Sequence, residues 1–299
     1  MNTPPPLTPA VSGQRLEINS PAGRLSYYVD GSGPPLLLVH SVNAAATVAE
    51  VKPVYDHYKA TRTVFALDLP GFGFSERSAR AYTPALMVAA VEALLEVIEK
   101  RFGVLGVDAM GLSLACEFVA RLAVQQPARI RSLSLVSPTG FSGGKSRRGA
   151  AGSTYAMPWF FAALTGPGWG RGLFNLLTRP GVVRYFLNKT WGSKNIDEDL
   201  CAYCVLTAQQ DGAEHAPLCF LSGQMFSADI HTVYEALRQP VWVAHGVRGD
   251  FTDYRGLSLV QGKPNWQISV YQAGAIPYFE LPHELFPALD RFLARSISG

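Results

Sequence analysis

The residues with the clearest capacity for chemistry lie in residues 104–136, VLGVDAMGLSLACEFVARLAVQQPARIRSLSLV. The segment reads as strand, sharp turn, helix and strand, and the turn carries Ser113 between Gly111 and Ala115. A serine at such a turn is forced into a strained backbone conformation that presents its hydroxyl beyond the strand. Small residues two before and two after it let strand and helix approach closely. The chemistry this permits is nucleophilic attack on an acyl carbon. A serine hydroxyl attacks poorly until a base takes its proton, and the base needs a carboxylate to fix its tautomer and stabilise its charged form. A base and a carboxylate must therefore come from elsewhere in the chain, and donors for an oxyanion must be found beside the serine.

The elements that would position them alternate. PLLLVH (residues 35–40) and TVFALD (63–68) are short apolar runs that read as buried parallel strands, with helical spacing over 44–58 between them. Residues 83–102 repeat the helical pattern, with Pro84 at a permitted first-turn position. The strand, helix and strand around Ser113 follow. The alternation stops after Pro138 and resumes at PVWVAHG (240–246), WQISVYQAG (266–274) and a last helix, ELFPALDRFLARS. Such alternation predicts an α/β fold, a mostly parallel doubly wound sheet with helices on both faces. Residues 139–236 read as an inserted helical lid over the sheet's C-terminal edge, where ligands bind in open α/β sheets. Residues 1–20 read as a flexible tail, and 21–138 with 237–299 as the core.

Five segments carry a resemblance to the α/β-hydrolase superfamily, which extends from about residue 22 to the C-terminus. VHSVN (39–43) resembles the family's HG turn, DLPGFGFS (68–75) its DxPGxGxS turn and GLSLA (111–115) its nucleophile elbow. VAHGVRGD (243–250) resembles the acid turn, and GAIPYFE (274–280) the GHxPxxE segment that carries the catalytic histidine. A rival reading takes Asp108 as nucleophile, since GVDAMG superficially resembles the elbow of haloalkane dehalogenases. However, Pro127-Ala128-Arg129-Ile130 stands at the family's distance from Ser113 and comes too late for Asp108.

The resemblance implies Asp250 as the carboxylate, with Asp253 as the weaker candidate, and the backbone N–H groups of Leu114 and Val42 as the oxyanion hole. Ser41 replaces the usual glycine, so Ser41 or Asn43 is a candidate extra donor to substrate, while His40 is expected to be structural. The departure that matters most is Ala275, which stands where the family's catalytic histidine belongs. Either a histidine was deliberately replaced or the natural protein lacks this base. His283 is expected on the solvent side of the last helix, and His245, at a strand end, reaches the site only by rearrangement.

The resemblance therefore implies a serine hydrolase acting on a hydrophobic carboxylic ester through an acyl-enzyme, crippled as written. A carbon–carbon bond hydrolase is a neighbouring possibility. The alternative is a non-hydrolytic binding protein or a lyase using the same pocket. The aromatic lid, Trp159 and Phe160 included, is the expected wall for an apolar substrate portion or simply lid core.

Bulk composition narrows the remaining classes. With 48% hydrophobic and 16% charged residues over 299, the chain can bury a large core. A net charge of +3, spread along the chain, lacks the dense basic tract of a nucleic-acid or anionic-membrane binder, and Lys145, Arg147 and Arg148 read as a solvated loop. The N-terminus MNTPPPLTPAVSGQ has neither a basic n-region nor an apolar h-region. Four cysteines suit a reducing compartment, so cytoplasmic placement is expected. Cys201 and Cys204 have zinc-like spacing with His215 and Cys219 downstream, yet the spacing of Leu200, Tyr203, Cys204 and Thr207 suits one face of a helix, and no metal is expected. The glycine-rich turns lack the dinucleotide pattern, so no cofactor is implied. The expected partner is a small hydrophobic substrate, with no nucleic acid and no stable membrane insertion. A homodimer is left open.

Overall fold

The computed structural model describes residues 5–103, 106–143, 146–166 and 169–295. Strands β1 (Gln14–Ser20) and β2 (Gly23–Asp30) form an antiparallel hairpin. There follow β3 (Pro35–Val39), α1 (Lys52–Tyr58), β4 (Thr63–Asp68), α2 (Pro84–Phe102), β5 (Val107–Leu112), α3 (Ala115–Gln125) and β6 (Ile130–Val136). Six helices come next: α4 (Pro158–Leu164), α5 (Gly170–Leu177), α6 (Pro180–Trp191), α7 (Glu198–Ala208), α8 (His215–Leu221) and α9 (Ile230–Ala236). The chain returns to the sheet with β7 (Val241–Gly246) and β8 (Trp266–Tyr271), then ends in α10 (Pro277–Glu280) and α11 (Pro282–Arg295).

The sheet has eight strands in the order β1-β2-β4-β3-β5-β6-β7-β8, parallel from β4 onward, with β2 antiparallel to β4. The apolar runs of β3 and β4 are continuous because both faces are covered. Leu36 and Leu38 enter one core cluster, Leu37 and Val39 the other, as a period of two requires. Helix α2 begins as its sequence suggests, with Thr83 Oγ1 accepting from Leu86 N at 3.2 Å and Pro84 in the first turn. Among the described residues, no helix is long and apolar enough to cross a membrane.

Two expectations require correction. The tail expected over residues 1–20 lies partly outside the described residues, and within them Gln14–Ser20 is not a tail but an edge strand of the sheet, where the core begins. The segment before it is also tied down. Ala10 and Val11 are buried, Ala10 N donates to Tyr28 Oη at 3.2 Å, and Tyr203 Oη donates to Thr8 O at 2.6 Å. Its proline-rich backbone cannot build a strand, but its carbonyls still accept from side chains. The helix expected over 44–58 is shorter, a 3-10 turn at Val48–Val51 followed by α1. Asn43 Oδ1 takes Ala45 N at 2.7 Å, a local turn that competes with helix, and Thr47 caps the 3-10 turn.

Candidate active site

The parallel strands place their C-terminal ends on one edge, and Ser113 stands there, immediately after β5. Its φ is +55°, the left-handed region that costs a residue with a side chain about 1–3 kcal/mol. The turn is pinned by Ser113 N donating to Val136 O at 2.8 Å and Cys116 N to Ser113 O at 3.1 Å. Gly111 is required here. A Cβ on it would lie 2.9 Å from Cys116 N and 3.0 Å from Ala115 C, so strand and helix approach through the missing side chain. Asp108 lies at the opposite end of β5, fully buried, bonded to Arg62 Nη1 at 2.7 Å, Arg131 Nε at 3.0 Å and Ser132 Oγ at 2.6 Å. Burial alone would raise its pKa, but the Arg131 and Ser132 hydrogen bonds outweigh that and hold it low, so it is a structural anion.

Pairing of β3 with β5, Val39 opposite Gly111, sets the loop after β3 beside the elbow. Val42 and Leu114 are both buried, and among the described residues neither backbone N–H donates to another protein group. Buried N–H groups without a partner are rare in folded proteins, and a pair beside a strained serine suits an anion that arrives with the ligand. His40 is structural. Leu69 N donates to its Nε2 at 3.0 Å, which leaves the proton on Nδ1, 2.7 Å from Ser41 O. Burial lowers its pKa to about 4.

The expected donor roles of Ser41 and Asn43 are corrected. Both are committed to Glu50, a fully buried carboxylate that the sequence reading missed. Glu50 accepts from Ser41 N at 2.9 Å, Ser41 Oγ at 3.0 Å and Asn43 Nδ2 at 2.7 Å. The second amide proton of Asn43 goes to Ser41 Oγ at 2.9 Å. Burial pushes the Glu50 carboxyl up to about 7 despite these three donors. The one available signal was an acid placed among Val48, Ala49 and Val51.

The turns that carry Asp250 and Ala275 meet on the end of helix α6. Asp250 N donates to Lys189 O at 3.1 Å and Ala275 N to Thr190 O at 2.9 Å, so adjacent carbonyls hold the two turns side by side. Ala275 is buried, and its carbonyl accepts from Ser137 Oγ at 2.6 Å. Since Val136 O holds Ser113 N, the three positions 113, 250 and 275 belong to one cluster. Glu280 keeps the turn in shape by taking Gly274 N at 2.6 Å while pairing with Arg248.

The side chains do not complete a triad. The Asp250 carboxylate is half-exposed, 3.5 Å from Lys189 Nζ. Asp253 is bound by Arg255, whose hydrogen bond lowers its pKa to about 2. Among the described residues no histidine bonds to Ser113. His245 stacks on Tyr254 with ring centroids 3.9 Å apart, and His283 faces solvent. Trp159 is 73% exposed, so it does not line an interior wall, and half-buried Phe160 sits beside it with ring centroids 5.6 Å apart. Cys201 and Cys204 are buried thiols of α7, their pKa values raised by burial. Two further groups escaped the sequence reading. Ser137 has a φ of +47°, and Glu117 is a buried carboxyl, raised by burial, that accepts from Thr139 Oγ1 at 2.6 Å and Ser227 N at 2.9 Å.

A family model described as alpha/beta hydrolase fold matches residues 34–175. The chain is 30% identical over 128 residues to a 2-hydroxymuconate semialdehyde hydrolase of Pseudomonas sp. (strain CF600), covering 42% of this chain and 44% of that protein. The match thus spans less than half of that curated relative's length. Among solved structures, a thermophilic esterase from Thermogutta terrifontis superposes with a TM-score of 0.71 at 18% identity, covering 95% of this chain and 99% of the other. The enol-lactonase from Burkholderia xenovorans LB400 gives 0.68 at 16%, covering 93% and 100%. At such identities the structures speak for the fold alone. Sheet order, strained elbow and the match over residues 34–175 agree that the chain has the α/β-hydrolase fold.

Proposed function

We propose that the chain is a serine hydrolase for a hydrophobic carboxylic ester, turning over poorly as it stands because Ala275 fills the base position. The observation that carries this reading is Ser113 at a φ of +55° beside the buried amides of Val42 and Leu114, which have no partner among the described residues. Ser113 Oγ bonds to the ester carbonyl carbon, and the carbonyl oxygen takes up the negative charge between the two N–H groups. The carbonyl re-forms as the alcohol leaves with a proton, and water then releases the acid from the acyl-serine. Each step moves a proton that a histidine at position 275 would carry, oriented by Asp250, whose turn lies alongside. Without it solvent must serve, at a cost of about 10²–10⁴-fold in rate. The proposed placement is cytoplasmic, supported by four free, buried thiols.

A second reading, hydrolysis of a carbon–carbon bond, is favoured by two curated relatives, both named 2-hydroxymuconate semialdehyde hydrolase. One experiment tests both. Nitrophenyl esters of graded chain length and a ring-cleavage dienol are offered to this chain, to Ala275→His and to Ala275→His with Ser113→Ala. A rise of about 10²–10⁴-fold in the histidine variant, abolished by Ser113→Ala, is expected, and the better substrate class ranks the two readings. Silence of all three proteins toward every substrate would overturn the hydrolase in favour of a binding protein or lyase.

A further inference from the structure

The lid is divided by charge. Residues 158–195 carry Arg171, Arg179, Arg184, Lys189 and Lys194 and no Asp or Glu, whereas residues 197–237 carry Asp and Glu and no Lys or Arg. Apolar exposure divides the same way. Among the described residues Trp159, Trp169, Leu176, Tyr185 and Phe186 are exposed on the basic half, against Leu221 alone on the acidic half. Helix α6 divides into buried and exposed residues. Val183 and Trp191 are buried on the body, while Arg184, Tyr185, Phe186 and Lys189 stand outward, with the two rings 5.5 Å apart and Lys189 Nζ 5.9 Å from the Tyr185 ring centroid. Helix α5 exposes Arg171 and Leu176, and Arg179, in the turn between α5 and α6, is exposed as well.

Grouped exposed rings mark a contact surface rather than ordinary protein exterior. Aromatic and aliphatic side chains mixed with Lys and Arg, with acids excluded, are the composition of helices that lie in the headgroup region of a bilayer. Three of the cations pair across the borders of this half: Arg171 with Asp211, Arg184 with Glu198 and Lys189 with Asp250. Exposed pairs of this kind are worth little in water, so a lipid phosphate can take them over. Arg179 and Lys194 have no ion-pair partner among the described residues. A second copy of the chain fits less well. Its acidic half is the electrostatic complement, but offers little exposed apolar surface to cover Trp159 and Phe186.

We propose that α4–α6 form a docking face for an anionic phospholipid surface, with the acidic half of the lid turned to water. The contact is peripheral, and repulsion of the acidic half fixes its orientation. Because α6 ends on the turns of Asp250 and Ala275, docking sets the edge of the sheet that carries Ser113 close to the layer from which an apolar substrate would arrive.

The test is co-sedimentation with vesicles of equal parts phosphatidylglycerol and phosphatidylcholine, against phosphatidylcholine alone, with tryptophan fluorescence recorded. Expected are pelleting with the anionic vesicles only, a blue shift, and release by salt, since screening shortens the reach of these charges to about 3 Å at 1 M. Arg179→Glu with Lys194→Glu lowers partitioning about tenfold or more, and Trp159→Ala weakens it, both with unchanged circular dichroism and unfolding midpoint. No pelleting with anionic vesicles, equal binding to neutral ones, or full binding by the charge-reversed variant would each overturn the proposal. So would a dimer in light scattering that the same variants dissolve. No turnover is read, so the outcome is independent of the chemistry assigned to Ser113.

Discussion

Glu50 shows how one side chain shapes this site without reaching the reacting atoms. Its carboxylate fixes Ser41 and Asn43, and Tyr278 Oη donates to its backbone carbonyl at 2.8 Å, so the loop after β3 and the segment after Ala275 share one anchor. The cost is a buried acid whose pKa rises from 4.5 to about 7 through desolvation. A raised folded-state value means that the folded protein holds the proton longer than the unfolded chain. The associated stability is therefore full below about pH 4.5, declines as pH rises and is gone above about 7. Glu50→Gln keeps the shape and removes the ionisation. Relative to the wild type, the variant is expected to gain roughly 3 kcal/mol between pH 4.5 and 8, because each tenfold change in proton affinity is worth about 1.36 kcal/mol, measured by urea unfolding at both values. A difference that does not vary with pH would mean that Glu50 titrates alike in both states.

At the scale of elements, legibility followed locality. Strands β3 and β4 and the elbow at Ser113 are each encoded within a few consecutive residues, as apolar runs or as small residues flanking a serine, and could be read without a partner. The segment before β1 and the clamp on Glu50 could not. Thr8 and Pro5 gain meaning only from Tyr203 and Gln210 of the distant helix α7 and its C-terminal end, and no periodicity signals a proline-rich strap. The positions 250 and 275 were legible as turns, but only the fold reveals that α6 holds both by consecutive carbonyls and that Asp250 faces Lys189. The strap makes a prediction at its own scale. Tyr28 Oη receives Ala10 N, and Tyr203 Oη reaches Thr8 O, so α7, strap and sheet are joined through two phenols. Tyr203→Phe should cost about 0.5–1.5 kcal/mol and should raise amide hydrogen exchange in α7 while leaving α3 protected. Equal loosening of both helices would mean that the strap stabilises the whole fold rather than clasping α7.

Across the whole molecule the two edges of the sheet are used differently. The C-terminal edge carries left-handed serines at 113 and 137 and two amides without a partner among the described residues, features that cost stability and suit a ligand. The opposite edge carries a saturated buried cluster in which Asp108, with no exposure, joins Arg62 of the segment before β4 to Arg131 and Ser132 of β6. A cluster of this kind resists deletion more than it adds net stability, because the arginine left behind is a charge without a partner in a site closed to water. Arg62 is only 9% exposed at its side chain. Asp108→Ala should therefore cost about 3–5 kcal/mol, seen as a lowered denaturation midpoint. Combined with Ala275→His, it should leave ester turnover per folded molecule unchanged, because the whole length of β5 separates it from Ser113. A fall in turnover beyond the loss of folded protein would show that strain on the edge that carries Ser113 is held in place from the other end of the sheet, and would tie the two edges into one mechanical unit.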